Sequence, residues 1–336
     1  MISKCFSSVL NQSFQDFEVI IIDDGSDDGT EKICDLYSQK YEKVKVWHQN
    51  NAGVSVARNV GIHKAVGKYI VFVDCDDWIP INYLRNIKKA YEKFGDEVIY
   101  CTSMKERDKC GVHLYHCSTL EYSNMYLENI NDLIEKGLFN SPVNKVYCRS
   151  VLIRNNIEFP PGLNLGEDLV FNLRYIDCFR KVKFIILNHV YYNVNALDEN
   201  SLERQWRADY FDIQLSLLKI LMRYICKWRK NGKLNCIKQE QYTYIRQRLH
   251  WNCIIGSINY YISFIGKRHC GDILKKIIII RKSQQYLECI GSDKDKILLE
   301  MIFSWLKRMG MKYYVDTVAS WKNKFNLKYK KGKIRV

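Results

Sequence analysis

The chain has few of the features that would assign it to a specialised class of protein. Only 4 of its 336 residues are proline and 17 are glycine, which excludes collagen-like and low-complexity sequences. No apolar run reaches the ~18 residues of a membrane-spanning helix. The nearest, residues 254–265, is interrupted by Gly256, Ser257 and Asn259. The N-terminus shows no charged segment followed by an apolar one, so no signal peptide is predicted.

The cysteines do not have the spacing of a small disulfide-rich domain. There are 13 of them, an odd number, and with no secretory signal we expect reduced thiols and a cytoplasmic protein. One segment holds four zinc-ligand types, namely Cys110, His113, His116 and Cys117. Its spacing matches no usual zinc pattern, so we favour a loop or a hairpin there over a zinc site.

Acidic residues are scarce in one part of the chain. Residues 201–336 carry 29 Lys and Arg against 10 Asp and Glu, whereas residues 1–200 carry 23 against 27. The basic stretches of the C-terminal part are 227–233, 275–276, 281–282 and 322–335, and Trp206, Trp228, Trp251, Trp305 and Trp321 lie among them. Basic helices with aromatic residues suit peripheral contact with an anionic membrane, and a solvated basic face fits the pattern equally well. Nucleic-acid binding ranks lower because no binding module is recognisable.

Strand and helix patterns alternate over the first hundred residues. We predict helices over 2–10 and 54–66, a helix capped by Ser26 or Asp28, and strands over 17–22, 44–47, 69–73 and 98–102, with Gly67 ending the second helix. Residues 103–123 look irregular, and a helix over 124–136, a helix after Gly166, strands over 182–187 and 190–193, and helices from 201 follow. The alternation predicts a doubly wound α/β domain, in which ligands bind beyond the carboxyl ends of the strands.

Acidic clusters follow two of these strands. Asp74 and Asp76 stand two residues apart at a strand end, so both side chains can address one site. Carboxylate oxygens suit Mg²⁺ or Mn²⁺, often shared with substrate phosphates, although an isolated pair of this kind is usually a solvated turn. Asp23 and Asp24 form a similar turn after another strand. Two acidic strand ends in one sheet are stronger evidence for a site than either alone.

A third segment, residues 51–61, is a loop that enters a helix. The N–H groups at a helix N-terminus favour a phosphate. Arg58 lies within this helix, where it has two equally plausible roles: it can reach a phosphorylated ligand or pair with a nearby carboxylate. Farther along, Glu167 and Asp168 follow Gly166, a position that by itself favours helix capping over catalysis.

The runs FEVIIIDDGSDDGT, NNAGVSVARNVGI and YIVFVDCDDW together resemble glycosyltransferase family 2, whose members have the GT-A fold and use nucleotide-sugars. The later segments NKVYCRSVLIRNNIEF and GEDLVFNLRY are similar to the acceptor half of bacterial members that build capsule, O-antigen or exopolysaccharide. The resemblance covers residues 1–200. It implies a mixed, mainly parallel sheet with flanking helices, followed by a mostly helical C-terminal region.

The resemblance also implies a role for each matching residue. Asp23 and Asp24, with Gly25 and Ser26 in the same turn, would contact the nucleoside, and Arg58 would contact the donor. Asp74, Cys75 and Asp76 would form the D-x-D motif, in which Asp74 and Asp76 hold Mn²⁺ or Mg²⁺. Asp168 would be the general base, with Glu167 supporting it or sharing the role. The donor would be a nucleotide-sugar, with UDP preferred, and the acceptor a glycan, in particular a lipid-linked one at the inner face of the membrane.

The chain departs from the family pattern at its start, where a strand and a P-x-[YF]-N turn usually precede the first helix. We expect two exposed strand edges as a result. Without membrane spans, the resemblance implies a non-processive, inverting enzyme. The alternative is a catalytically impaired transferase-like module that binds a membrane or a partner.

The predicted domains are 1–200, comprising a nucleotide-sugar half (1–102) and an acceptor half (103–200), and a basic helical region (201–336).

Overall fold

A computed structural model describes residues 2–108, 111–163, 165–196, 205–234, 237–264 and 270–283. The chain divides into two compact units. The first comprises residues 1–205 and 219–238, and the second comprises residues 206–218 and 239–336. The predicted domain boundary at residue 200 lies outside the described residues, as do Cys110, Trp305, Trp321 and the basic stretch 322–335.

The first unit begins with the predicted alternation of helices and strands. Its elements up to residue 94 are α1 (Ile2–Leu10), β1 (Val19–Asp23), α2 (Thr30–Lys40), β2 (Val44–His48), α3 (Val54–Lys64), β3 (Tyr69–Ile70) and α4 (Tyr83–Phe94). Helix α2 has Gly29 as its N-cap instead of Ser26 or Asp28, although Asp28 accepts a hydrogen bond from the Thr30 N–H. Helix α3 ends before Gly67, whose N–H donates instead to the Glu18 carboxylate.

The rest of the first unit contains the longest strands. Its elements are β4 (Ile99–Asp108), β5 (Gly111–Tyr115), β6 (Tyr122–Tyr126), a 3-10 turn (Leu127–Asn129), α5 (Ile130–Glu135), β7 (Lys145–Cys148), α6 (Arg149–Arg154), α7 (Glu167–Asp177) and β8 (Lys183–Asn195). Three predictions for this stretch were wrong. Residues 103–123 include strand β5, which is hydrogen-bonded to β4. The predicted helix 124–136 begins as strand β6, and the two strands after residue 182 are one.

Two sheets result from the pairing of these strands. β1 and β2 form a parallel pair, and a mixed sheet has the order β3-β7-β4-β8-β6, with β5 added to β4. β4 and β8 run parallel, while the other pairs of the second sheet are antiparallel. Helices flank these strands, and the buried core includes Tyr83, Tyr100, Ile185 and Tyr192. The predicted α/β architecture is confirmed.

Strands β1 and β3, like the outer strands β2, β5 and β6, each have one open edge in the part of the chain that the structure describes. β1 pairs there with β2 alone, and β3 pairs there with β7 alone. The predicted strand 69–73 is reduced to Tyr69 and Ile70, because Cys148 and Tyr147 are the residues of β7 that pair with it. Four of the five residues of β1 are half-buried, although the sequence predicted a buried strand.

The described part of the second unit is helical. It contains the first part of α8 (Tyr210–Lys230), α9 (Gln239–Ile262) and α10 (Cys270–Lys282). Its core includes Phe211, Trp251, Ile254 and Tyr261, so Trp251 is an interior residue. Among the described helices, none combines the length and the apolar character required to cross a membrane.

Candidate active site

Asp23 ends strand β1 and is held by two neighbours. Its Oδ1 accepts the Ser26 N–H at 3.1 Å, and its Oδ2 lies 2.8 Å from Nδ1 of His48. Asp23 is only 6% exposed. Burial acts to raise its pKa, but the hydrogen bonds from Ser26 and His48 outweigh burial and lower the pKa below the usual value. The carboxylate is therefore ionised and fixed in position.

Asp24 organises the loop that leads into α3. Its Oδ1 accepts hydrogen bonds from the Gln49 side chain at 2.7 Å and the Ala52 N–H at 2.9 Å, and its Oδ2 accepts the Gly53 N–H at 2.8 Å. The sequence predicts that the N–H groups at the N-terminus of α3 suit a phosphate. Asp24 accepts the N–H groups of Ala52 and Gly53, which precede the first helical residue Val54, so phosphate binding at the helix N-terminus stays a prediction.

Gly25 allows this loop to lie against the turn after β1. Its φ is +77°, in the left-handed region that favours glycine. A Cβ atom at this position would lie 2.8 Å from the backbone nitrogen of Asn51. Glycine is therefore required at this position for two reasons: the backbone of Asn51 lies too close for a side chain, and the residue has a positive φ.

Tyr192 on strand β8 anchors the acidic turn after β3, although no sequence motif identified it. Its hydroxyl accepts the Asp74 N–H at 3.0 Å and donates to Asp77 Oδ2 at 2.7 Å. Asp77 Oδ1 accepts the Asn195 N–H at 2.8 Å. Asp77 is 4% exposed, and burial raises its pKa to about 7. The only signal for Asp77 in the sequence was its place in the same acidic run as Asp74 and Asp76.

Arg58 connects the D-x-D turn to the predicted base. Its Nη1 donates to Asp168 Oδ1 at 2.7 Å, and its Nη2 donates to Asp74 Oδ1 at 3.0 Å. The guanidinium carbon lies 5.2 Å from the ring centroid of Phe159. Of the two roles that the sequence left open, the structure shows pairing with carboxylates. Burial disfavours the charged form of Arg58, but Asp74, Asp168 and Glu167 outweigh it and raise the pKa.

Helix α7 presents Glu167 and Asp168 in its first turn. The N-cap is Gly166, which has a φ of +88° and makes no side-chain cap. The Asp168 side chain is 28% exposed and faces Arg58, so capping does not account for its position. Arg58 is positioned in turn by Asn59, whose side chain forms two 2.8 Å hydrogen bonds with the backbone N–H and C=O of Phe159.

The structure therefore brings Asp74, Arg58 and Asp168 into direct contact. Asp24 contributes through α3, because it holds the loop from which that helix starts. Cys75 is exposed, and Asp76 is half-buried in the same turn. In the described residues, no cluster of three or more His, Cys, Asp or Glu could hold a metal ion by itself. Of the four zinc-ligand types noted in the sequence, His113 lies in strand β5 and His116 and Cys117 follow that strand, whereas Cys110 is outside the described residues.

Comparison with known proteins assigns the chain to a family. The family model described as Glycosyl transferase family 2 matches residues 1–155. The uncharacterized glycosyltransferase YibD of Escherichia coli (strain K12) is 30% identical over 235 residues, covering 66% of this chain and 68% of YibD. The chain belongs to glycosyltransferase family 2. EpsH of Bacillus subtilis (strain 168) is 28% identical over 253 residues, covering 73% of this chain and 70% of EpsH.

The fold of this glycosyltransferase is also found among solved structures. Residues 1–349 of TarS from S. aureus, solved in complex with UDP-GlcNAc, match it with a TM-score of 0.56 and 20% sequence identity. The match covers 85% of this chain and 88% of the TarS chain. The predicted GT-A fold and the predicted family are thus confirmed, and the chain is a glycosyltransferase.

Proposed function

We propose that this glycosyltransferase is an inverting, metal-dependent and non-processive enzyme that transfers a sugar from a UDP-sugar to a hydroxyl group of a growing cell-surface glycan. The TarS structure with UDP-GlcNAc supports a UDP-sugar donor. The acceptor part of the proposal rests on the resemblance of the second half of the domain to enzymes of capsule, O-antigen and exopolysaccharide synthesis. A lipid-linked acceptor belongs to the same proposal.

The arrangement of Asp74, Arg58 and Asp168 is the observation that carries the proposal. One guanidinium lies within 3.0 Å of a carboxylate of the D-x-D turn and of the predicted base. The diphosphate side and the acceptor side of the reaction thus adjoin the same cation. Such an arrangement suits a displacement in which negative charge leaves on one side while a hydroxyl is deprotonated on the other.

Asp168 takes the proton of the acceptor hydroxyl as its oxygen attacks the anomeric carbon of the donor. Arg58 holds Asp168 in position, and this alignment matters because an ordinary carboxylate is a weak base at neutral pH. Phe159 lies against the guanidinium and partly excludes water from it. A single displacement by this route inverts the anomeric configuration.

The residues present fit a divalent cation shared with the substrate. Asp74 is 41% exposed and supplies hard oxygen atoms, and Asp76 lies two residues away. Mg²⁺ and Mn²⁺ are commonly held by one or two carboxylates together with phosphate oxygens, so a complete protein cage is not required. When bound, the cation neutralises charge on the departing nucleoside diphosphate.

Calorimetric titration of UDP into the 336-residue chain, with and without Mn²⁺, tests this proposal. We expect Mn²⁺-dependent binding that Asp76→Ala abolishes and that the exposed control Asp16→Ala retains. Binding that is unchanged in Asp76→Ala would contradict the metal assignment. With a donor found by screening UDP-sugars, the anomeric configuration of the product, read by NMR, tests inversion.

Membrane contact through residues 201–336 is the least supported part of the proposal. Lys227 and Lys233 form ion pairs with Asp177, and Trp228 is fully buried and donates to the same carboxylate. These residues therefore stabilise the fold, and the remaining basic residues would have to make the contact. Flotation of the whole chain with anionic vesicles at low salt tests it, and absence from the vesicle fraction would refute it.

The impaired, non-catalytic alternative is favoured by one observation, the open edges of β1 and β3 in the described part of the chain. It predicts a folded chain that binds vesicles or a partner but binds no UDP. Metal-dependent UDP binding together with sugar transfer would exclude it.

A further inference from the structure

His48 ends strand β2 directly beside Asp23, its register partner on β1. Its Nδ1 lies 2.8 Å from Asp23 Oδ2, and its Nε2 lies 3.1 Å from Asp35 Oδ1 on helix α2. The imidazole thus bridges two carboxylates from two different elements. The Asp23 side chain is 4% exposed, His48 is 36% exposed and Asp35 is 52% exposed.

The geometry selects one protonation state of the ring. An ionised carboxylate can only accept hydrogen bonds, so each ring nitrogen must donate, and a ring that donates from both nitrogens is the imidazolium. The hydrogen bonds to Asp23 and Asp35 accordingly raise the pKa of His48. The ionisable groups that face it are Asp23 on β1 and Asp35 on α2, and Asp28 interacts in turn with Asp23.

Loss of the proton would loosen this bridge. A neutral ring has one donor, so at most one carboxylate keeps its hydrogen bond while the other faces a lone pair. Since Asp35 is half exposed, it can turn towards water, and the ring is then held on one side only. Asp23 Oδ1 would still be fixed by the Ser26 N–H, but the ring that contacts Oδ2 would no longer be fixed by Asp35.

We propose that His48 is a positioning residue for nucleotide recognition, whose protonated ring holds Asp23 in the orientation that binds the nucleoside. The inference rests on the proposed function and on the role that the family resemblance implies for Asp23, which is contact with the nucleoside. It adds that nucleotide affinity falls as pH rises through the titration of His48. By linkage, bound nucleotide must also favour the protonated ring.

The test is calorimetric titration of UDP into the full chain at fixed, saturating Mn²⁺, from pH 5.5 to 8.5, with three variants. His48→Asn keeps one neutral donor near the Nδ1 position, His48→Ala removes it, and His189→Asn changes another exposed histidine that bonds the Thr119 carbonyl. Titration of the UDP phosphate is common to all proteins and cancels in the ratio of variant to wild-type affinities.

Between pH 5.5 and 8.5, the wild type and His189→Asn should lose UDP affinity. We expect this loss to be about three- to tenfold larger than the loss in His48→Asn. At low pH, His48→Ala should bind at least tenfold more weakly than the wild type, and His48→Asn should recover most of that loss. In NMR titrations, the His48 imidazole is identified as the resonance that is absent from His48→Asn. The pKa read from this resonance should be higher when UDP is present. A residue that merely supported the fold would not show this shift.

Two results would overturn the inference, and they can be told apart. If UDP binds but the wild type and His48→Asn share one pH dependence and one affinity, His48 does not position Asp23, while the proposed function stands. If a folded wild-type chain binds no UDP at any pH, both the proposed function and the inference fail.

Discussion

Arg58 and Asp168 are 110 residues apart in the chain, yet Nη1 of Arg58 lies 2.7 Å from Oδ1 of Asp168. The second arm of the guanidinium donates to Asp74 in the D-x-D turn. One cation therefore fixes the spacing between the proposed base and the proposed diphosphate site. This spacing depends on the planar, two-armed shape of the guanidinium, which an ammonium group lacks.

Arg58→Lys is expected to lower kcat more than it changes KM, because a single ammonium cannot donate to both carboxylates in the same geometry. A loss of about 10²-fold in kcat is the expected order for a misaligned base. Arg58→Met should lower kcat further, since the carboxylates of Asp74 and Asp168 are left without their shared cation. Steady-state kinetics with the donor found by screening measures the effect. A lysine variant with wild-type kcat would show that the two-armed contact is not used.

Asn59→Asp is expected to detach the segment around Phe159 from helix α3. The carboxylate keeps an acceptor for the Phe159 N–H but loses the donor to the Phe159 carbonyl, and Asn59 is only 8% exposed. A loss of about 2–3 kcal/mol in the free energy of unfolding follows, because the buried Phe159 carbonyl loses its donor and faces a buried negative charge instead. Urea denaturation measures it, with the exposed Asn155→Asp as the matched control, and equal effects of the two changes would contradict the argument.

Local patterns in the sequence were sufficient for β1, α2, β2 and α3. Helices with one apolar face and short β-branched runs are encoded within a few neighbouring residues, so these elements were predicted to within a few residues. The prediction of a helix over 124–136 was wrong because the structure of this segment depends on residues far away in the chain. Residues 122–126 form a strand because they pair with residues 183–187, and a partner about sixty residues away is invisible in a local window.

The sequence could suggest residues for the candidate site but not the contacts between them. The resemblance to the family singled out Asp74, Arg58 and Asp168, whereas their mutual hydrogen bonds depend on how α3 and α7 pack. His48 and Asp77 were missed because a histidine at a strand end and a third carboxylate in an acidic run form no motif. Their roles arise from partners on other elements, as with Tyr192 and Asp77.

Asp77→Asn is expected to flatten the pH dependence of stability. Burial raises the folded-state pKa of Asp77 to about 7, well above the ordinary pKa of an aspartate, so the native state holds a proton that the unfolded state has released. Stability conferred by the protonated form is present at low pH and is lost as pH rises towards 7. The expected loss is about 1–3 kcal/mol across pH 4–7, at ~1.4 kcal/mol per pKa unit and reduced for incomplete burial.

Thermal unfolding of the wild type and Asp77→Asn across this pH range measures the difference, in which the contributions of all other groups cancel. The gap between the two midpoints should shift in favour of the variant as pH rises from 4 to 7 and then stay constant. A constant gap across the whole range would show that Asp77 has an ordinary pKa in the folded protein.

Gly25→Ala should weaken nucleotide binding more than Gly29→Ala, although both glycines have a positive φ, +77° and +88°. The conformational penalty, about 1–2 kcal/mol, is common to both substitutions. At Gly25 the new Cβ would also lie 2.8 Å from the Asn51 backbone nitrogen, whereas at Gly29 nothing lies within 4 Å. The loop held by Asp24 must therefore move in Gly25→Ala alone, which displaces the start of α3 and with it Arg58. UDP titration of both variants, alongside their unfolding midpoints, separates the shared strain from the clash. Equal affinities would mean that the loop adjusts without disturbing the site.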